Sequence, residues 1–133
     1  MLDLALNHGS GPIQNGEISR RQHIPEQYLK QILPALRRRG LVVSARGPLG
    51  GHRLARPPDG ITVAEVIQAL EGGMEIFETG EDHRKAAVAE TGRILDEFWG
   101  QLRHEMERIL TTTTLDDLCR RKRRRDQSFI YHI

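Results

Sequence analysis

Cysteine is almost absent from this 133-residue chain, which has Cys119 alone, and long apolar runs are absent altogether. One cysteine cannot form an intrachain disulfide or complete a zinc site, so a reducing compartment is indicated. A membrane-spanning helix needs about 18 consecutive apolar residues or more, which the chain does not offer. The first residues also lack the basic segment and apolar run of a signal peptide, and we therefore expect a cytoplasmic protein.

Motifs of catalysis and of metal binding are lacking as well. The sequence has no GxxxxGKS/T or GxGxxG loop for nucleotide phosphates. Its six histidines are scattered without the spacing of metal ligands, and no acidic pair accompanies a nucleophile. We expect no enzyme, no metal site and no cofactor.

Charge is present in separate blocks. Residues 1–56 contain nine Lys and Arg against three Asp and Glu, residues 57–118 five against fourteen, and residues 119–133 six against one. A basic front and a basic end around an acidic middle indicate a polyanion-binding face on a dimerising or regulatory body. A solvated surface of uneven charge is the alternative.

A helix–turn–helix pattern occupies the basic front. Residues 15–22 predict a short polar helix with Ile18 facing inward. A second helix is predicted over residues 25–39, with Pro34 kinking or shortening it. Its apolar stripe comprises Tyr28, Leu29, Ile32, Leu33 and Leu36.

A two-stranded hairpin follows this second helix directly. Residues 41–46 and 52–55 predict the strands, and the glycine-rich segment 47–51 predicts a tight turn between them. A hairpin in this position is the wing of a winged helix–turn–helix. The predicted fold is therefore mainly α with a small β-hairpin, and the winged unit spans residues 1–73.

A capping-box pattern predicts the next helix. Thr62 and Glu65 have the spacing of reciprocal caps, and Gly72 and Gly73 are the stop signal. The predicted inward face comprises Val63, Val66, Ile67 and Leu70. Residues 74–83 are interpreted as an acidic loop.

A long helix from about His83 to about Leu110 is predicted to form a dimer. Its apolar side chains recur every three or four residues, as they do along the seam between two helices. The dimerisation candidates are Leu95, Phe98, Trp99, Leu102, Met106 and Ile109. Packing of this stripe onto the winged unit is the alternative. The loop and long helix form a second unit, residues 74–118.

The chain ends in a basic segment, residues 119–133. Residues 111–114 predict a link, followed by a last short helix and six consecutive Lys and Arg at 120–125. Residues 128–133 predict a short strand or a hydrophobic anchor. The basic run indicates either nucleic-acid binding or a solvated tail.

The candidate DNA-contacting residues lie on the second helix and the wing. Gln27, Lys30 and Gln31 have the side chains and the position to read base edges in the major groove. The nearby arginines are expected to contact phosphates, except Arg46, which is placed to enter a minor groove. The full set is Arg20, Arg21, Pro25, Gln27, Tyr28, Lys30, Gln31, Arg37, Arg38, Arg46, Gly47, Gly50 and Gly51.

These residues resemble the Rrf2 family of winged-helix regulators. The resemblance is carried by Glu17-Ile18 with Arg21-Gln22, by Ile24-Pro25 with Tyr28-Leu29, and above all by the segment Arg46–Gly51. It extends from about residue 5 to residue 71 and implies a homodimeric transcription regulator of double-stranded DNA.

Two segments near the end of the chain are most similar to the cluster-free, CymR-like branch of that family. They are residues 113–118 and 129–133. This resemblance implies a repressor controlled by a small effector or by a partner protein such as cysteine synthase. The family's basic N-terminal segment and the first half of its first helix are absent from this sequence, so we expect either a mis-assigned Met1 or the loss of some phosphate contacts and some core.

Two departures from the family pattern matter. Cluster-binding members carry three cysteines before the long helix, whereas residues 72–85 contain none, so we expect no iron–sulfur cluster. Cys119 lies far from that position, and we expect it to be buried and inert. Lys30 stands where members often have glutamate, which implies a preference for guanine over cytosine.

Two other functions stay open at this point. One is a protein-interaction module that has kept the winged fold but binds DNA weakly. The other is a non-specific DNA binder that relies on the basic end. Salt-dependent binding with sequence preference would distinguish a regulator from both.

Overall fold

The computed structural model describes residues 1–72 and 90–132, and it has the predicted mixture of helices and one hairpin. The helices are α1 (Leu2–Leu6), α2 (Asn15–Gln22), α3 (Glu26–Arg38), α4 (Val63–Glu71), α5 (Glu90–Thr112) and α6 (Leu115–Ile130). Strands β1 (Val42–Ala45) and β2 (Gly51–Leu54) are antiparallel, with Val42 opposite Leu54. The predicted fold class, a winged helix–turn–helix followed by a long helix, is confirmed.

The buried face of α3 centres the core of the winged unit. Leu29, Leu33 and Leu36 recur every three or four residues and are buried against residues of α1, α2 and the hairpin. The helix continues past Pro34 to Arg38, so the early break predicted there is wrong; one backbone bond is lost without ending the helix. Tyr28 is 52% exposed and lies outside the core, contrary to its place in the predicted stripe.

Reciprocal caps begin α4 as predicted. The Glu65 amide donates to the Thr62 hydroxyl (3.2 Å), and the Thr62 amide donates to the Glu65 carboxylate (2.8 Å). The hydrogen bond from Arg56 and then the one from the Thr62 amide lower the pKa of Glu65. The prediction for the inward face was wrong at Leu70, which is 42% exposed, because the short Ala64 and Ala69 are the buried residues.

The corner between α5 and α6 has reciprocal caps of its own and is hydrogen-bonded to the winged unit. Thr114 and Asp117 cap α6 reciprocally. Two backbone hydrogen bonds, from Val63 to Thr113 and from Leu115 to Ile61, both 2.9 Å, join this corner to the start of α4. Because Ile61 and Leu115 are buried, this corner is part of the core.

The C-terminal segment differs from its prediction. The last helix is 16 residues long and reaches Ile130, so the predicted short helix and terminal strand are wrong. Ion pairs from Arg120 to Asp116 (2.7 Å) and from Lys122 to Asp126 (2.8 Å) offset part of the repulsion along this helix. The predicted acidic loop, the Gly73 stop and the start of the long helix at His83 lie outside the described residues. Among those described, no helix has the length and apolar composition that a bilayer crossing requires.

Candidate DNA interface

The turn between α2 and α3 exposes the beginning of α3. His23 ends α2 in the left-handed conformation (φ 54°), and Pro25 precedes the first turn of α3. Gln27, Lys30 and Gln31 are exposed on the side opposite the buried leucines. Their side chains have no hydrogen-bond or ion-pair partner within residues 1–72 and 90–132. This face is therefore free to exchange water for the edges of bases.

All four candidate phosphate-contacting arginines lie exposed, and three of them form no ion pair within the described residues. Arg20 makes one long hydrogen bond to the Gly16 carbonyl (3.3 Å), and Arg37 and Arg38 follow at the end of α3. Neither Arg37 nor Arg38 forms an ion pair within the described part of the chain. Guanidinium groups so placed on both sides of the turn suit phosphate contacts.

Arg21 has a different environment from the one predicted. It donates two hydrogen bonds to the buried carboxylate of Asp3, at 3.0 and 2.7 Å, and a third to Glu17 at 2.6 Å. Gln22 donates to the same Asp3 carboxylate at 2.9 Å. Arg21 is therefore better assigned to holding α2 against α1 than to contacting phosphate.

Replacing Asp3 with asparagine is expected to lower the free energy of unfolding by about 2 kcal/mol, because charged hydrogen bonds at a buried site are lost. Urea denaturation checks this value. The control is Glu17→Gln, which removes the exposed partner of the same arginine and should cost no more than about 0.5 kcal/mol. Equal effects of the two substitutions would show that Asp3 does not anchor α2.

The wing is attached to the segment before α2 along β2 and at its turn. Two backbone hydrogen bonds join Ile13 and His52, at 2.9 and 2.8 Å, and the Gln14 side chain donates to the Pro48 carbonyl at 3.0 Å. A Cβ on Gly51 would lie 2.5 Å from the Ile13 backbone, and one on Gly50 would lie 2.3 Å from the Ala45 oxygen. Both glycines therefore have structural roles in the close approach of backbones.

The outer part of the wing is exposed. Arg46 and Gly47 lie at the end of β1, where the Arg46 side chain has no partner among the described residues. Leu49, which is not among the residues predicted from the sequence to contact DNA, is 92% exposed at the tip. Between the two strands, His52 contacts the Ser44 hydroxyl (2.6 Å), and burial together with Arg37 lowers the pKa of His52. The wing therefore presents Arg46, rather than a charged His52, to an anion.

An apolar stripe runs along the described part of α5. The large side chains of this stripe are between 40% and 63% exposed in the single chain, and α5 has no fully buried residue. The stripe comprises Ile94, Leu95, Phe98, Trp99, Leu102 and Ile109. Met106, on the same face, is partly buried. Although α4 packs against α5, the winged unit leaves these large side chains substantially exposed in the single chain.

A helix–turn–helix with a free polar face, followed directly by an anchored hairpin, defines a winged-helix DNA-binding protein. The chain belongs to the Rrf2 family, because the family model, described as iron-dependent transcriptional regulators, matches residues 1–121. It is a DNA-binding transcriptional regulator.

Relatives and solved structures agree with this assignment. The HTH-type transcriptional regulator CymR of Bacillus subtilis is 34% identical over 133 residues, which is 100% of this chain and 91% of that protein. The structure of CymR, titled the global cysteine regulator of B. subtilis, matches with a TM-score of 0.75 and 36% identity, covering 89% of this chain and 85% of that one. The structure of T. potens IscR matches with a TM-score of 0.71 and 33% identity, covering 91% and 78%.

The residues of this chain do not fit an iron–sulfur cluster. Thiolates are the usual cluster ligands, and the chain has one cysteine. Cys119 is buried in α6, where burial raises the pKa of its thiol. Within residues 1–72 and 90–132, no three His, Cys, Asp or Glu side chains come together as a metal site requires.

Proposed function

We propose that this chain is a cytoplasmic, homodimeric repressor that binds a specific operator without an iron–sulfur cluster. The observation that carries the proposal is the polar face of α3, where Gln27, Lys30 and Gln31 are exposed and unpaired. In this proposal α3 enters the major groove, where Lys30 donates to guanine and the two glutamines pair with adenine. Arg20, Arg37 and Arg38 contact the phosphates on either side.

The wing supplies the second contact in this proposal. Arg46 enters the adjacent minor groove, where a narrow groove concentrates negative potential. Leu49, exposed at the tip, enters the same groove, where minor-groove binders frequently insert apolar side chains between base steps. The attachment of the wing to Ile13 supports this role, because an anchored wing holds Arg46 at a constant distance from α3.

A second copy of the chain covers the stripe on α5 in this proposal. Monomeric proteins rarely expose a large contiguous apolar patch, and these side chains have the spacing of a two-helix seam. A twofold dimer would present two copies of α3 to two half-sites, and occupancy of the operator would block the promoter. Control by a partner protein or small effector stays a prediction.

A binding isotherm against the chain's own upstream DNA, titrated with salt, tests this function. The expected result is a preference of about a hundredfold or more over a scrambled duplex of the same length. Equal binding to the two duplexes would contradict a specific regulator and favour the interaction-module alternative. The family assignment supports the regulator over that alternative.

The Arg46→Ala variant is expected to bind the upstream duplex about tenfold more weakly, since a good groove contact contributes about 1–3 kcal/mol. The same titration measures this loss. Arg93→Ala, which removes an exposed arginine from α5, is the control and should change affinity much less. Unchanged specific binding by Arg46→Ala would refute the minor-groove assignment.

A further inference from the structure

The second half of α6 extends away from the core as a charged helix. Leu115 and Cys119 are its buried residues, and every residue from Arg120 to His132 is exposed. Six consecutive positions, 120–125, are Lys or Arg. This segment takes no part in the operator contacts proposed above.

Part of this charge is already neutralised within the helix. Arg120 pairs with Asp116, and Lys122 pairs with Asp126. Four guanidinium groups have no ion-pair or hydrogen-bond partner within the described residues. They belong to Arg121, Arg123, Arg124 and Arg125.

These arginines repel one another along the helix. Arg121 lies three and four residues before Arg124 and Arg125, which places like charges on one face, about 5–6 Å apart at their Cβ atoms. Like charges at these spacings destabilise a helix, and a bound polyanion would remove that repulsion. The phosphates of a DNA strand repeat about every 3.4 Å along the duplex axis, so several could be reached from one turn of α6.

The composition of the segment favours phosphate over protein as the occupant. Residues 120–128 around the free arginines contain no apolar side chain, and the exposed Phe129, Ile130 and Tyr131 are consecutive at the end of the segment. A helix that docks in a protein groove presents apolar anchors at three- and four-residue spacings along its length. Five of the six basic residues are arginine, whose planar guanidinium binds phosphate through paired hydrogen bonds.

We infer that the face formed by Arg121, Arg124 and Arg125 is a second DNA-binding surface, which contacts phosphates independently of base sequence. Because α6 is covalently joined to the winged unit, its arginines act at high local concentration once α3 is bound. This surface strengthens binding to every duplex by a similar factor and leaves the preference for the operator unchanged.

The test compares the full-length protein with a variant carrying Arg121→Gln, Arg124→Gln and Arg125→Gln. Affinity for a scrambled duplex is measured against salt concentration. Each phosphate contact adds about 0.9 to the slope of log affinity against log salt concentration. The slope should therefore become shallower by about 2.7 if one α6 helix per dimer binds DNA, and by about 5.4 if both helices bind. Thermal melting should show a fold at least as stable as the parent, since repulsion is relieved.

The matched control removes three charges that are already paired, through Arg108→Gln, Arg120→Gln and Lys122→Gln. It has the same net charge as the test variant and should change the slope by less than about one contact. Equal slopes for the two variants would overturn the inference and indicate a protein partner or a purely solvated face.

The operator preference separates this inference from the proposed function. The arginine variant should keep the ratio of upstream to scrambled affinity that the parent shows. If the parent has no preference but the slope changes as expected, the proposed function fails and the second surface stands. If the parent has a preference and the slope does not change, the second surface fails alone.

Discussion

A Leu102→Glu variant is expected to sediment as a monomer and to bind the upstream duplex no better than a scrambled one. Leu102 lies within the exposed stripe of α5 and is 40% exposed in the single chain. A carboxylate here would be buried without a partner at the seam, a cost that outweighs the contact it replaces. The loss should equal the preference of the parent protein for the upstream duplex, about a hundredfold or more.

The control for this experiment is His104→Glu, which adds a carboxylate two residues along α5, on the side away from the stripe. It should remain a dimer and keep its preference for the upstream duplex. Circular dichroism should show a folded protein for both variants. A dimer that persists with Leu102→Glu would place the interface on another surface.

A Gly51→Ala variant is expected to lose about 3 kcal/mol of stability, from steric conflict together with backbone strain. The added Cβ would lie 2.5 Å from the carbonyl of Ile13, at a backbone φ of +140° that L-residues rarely adopt. Relief of this conflict is expected to break the hydrogen bonds between Ile13 and His52, which detaches β2 from the segment before α2. The midpoint of thermal unfolding should fall by roughly 10 °C.

Gly47→Ala separates the two causes of that loss. Gly47 also has a positive φ, +99°, but a Cβ there would have no atom within 4 Å. Its variant should therefore show the conformational cost alone, about 1 kcal/mol. A midpoint that falls equally in the two variants would mean that the contact with Ile13 does not limit residue 51.

The part of the candidate DNA interface on α3 could be predicted from the sequence, because the spacing of apolar residues along the helix determines it. The stripe of Leu29, Leu33 and Leu36 places the opposite face of α3 in solvent, so the exposure of Lys30 and Gln31 followed from spacing. The prediction that Tyr28 belongs to the buried stripe was wrong. Tyr28 lies at the edge of this stripe, and periodicity alone does not show how far around the helix the buried surface extends.

The role of Arg21 could not be predicted in this way. Its partner Asp3 is 18 residues away, on another helix, and the pair forms only after α1 and α2 have packed. The same limit applies to the attachment of Gln14 to Pro48, which are 34 residues apart. Several arginines have similar neighbours in the sequence. Only the tertiary structure shows that the guanidinium of Arg21 is the one paired with a buried carboxylate.

The sequence by itself determined the phases of the helices, the caps of α4, the hairpin and the lack of thiolates for a cluster. These features depend on residues within a few positions of one another, or on composition. The tertiary structure decided which charges are free, how the wing is attached, and that the α5 stripe stays exposed. Each of these depends on distant segments meeting in space, where burial and pairing set the energy of a side chain.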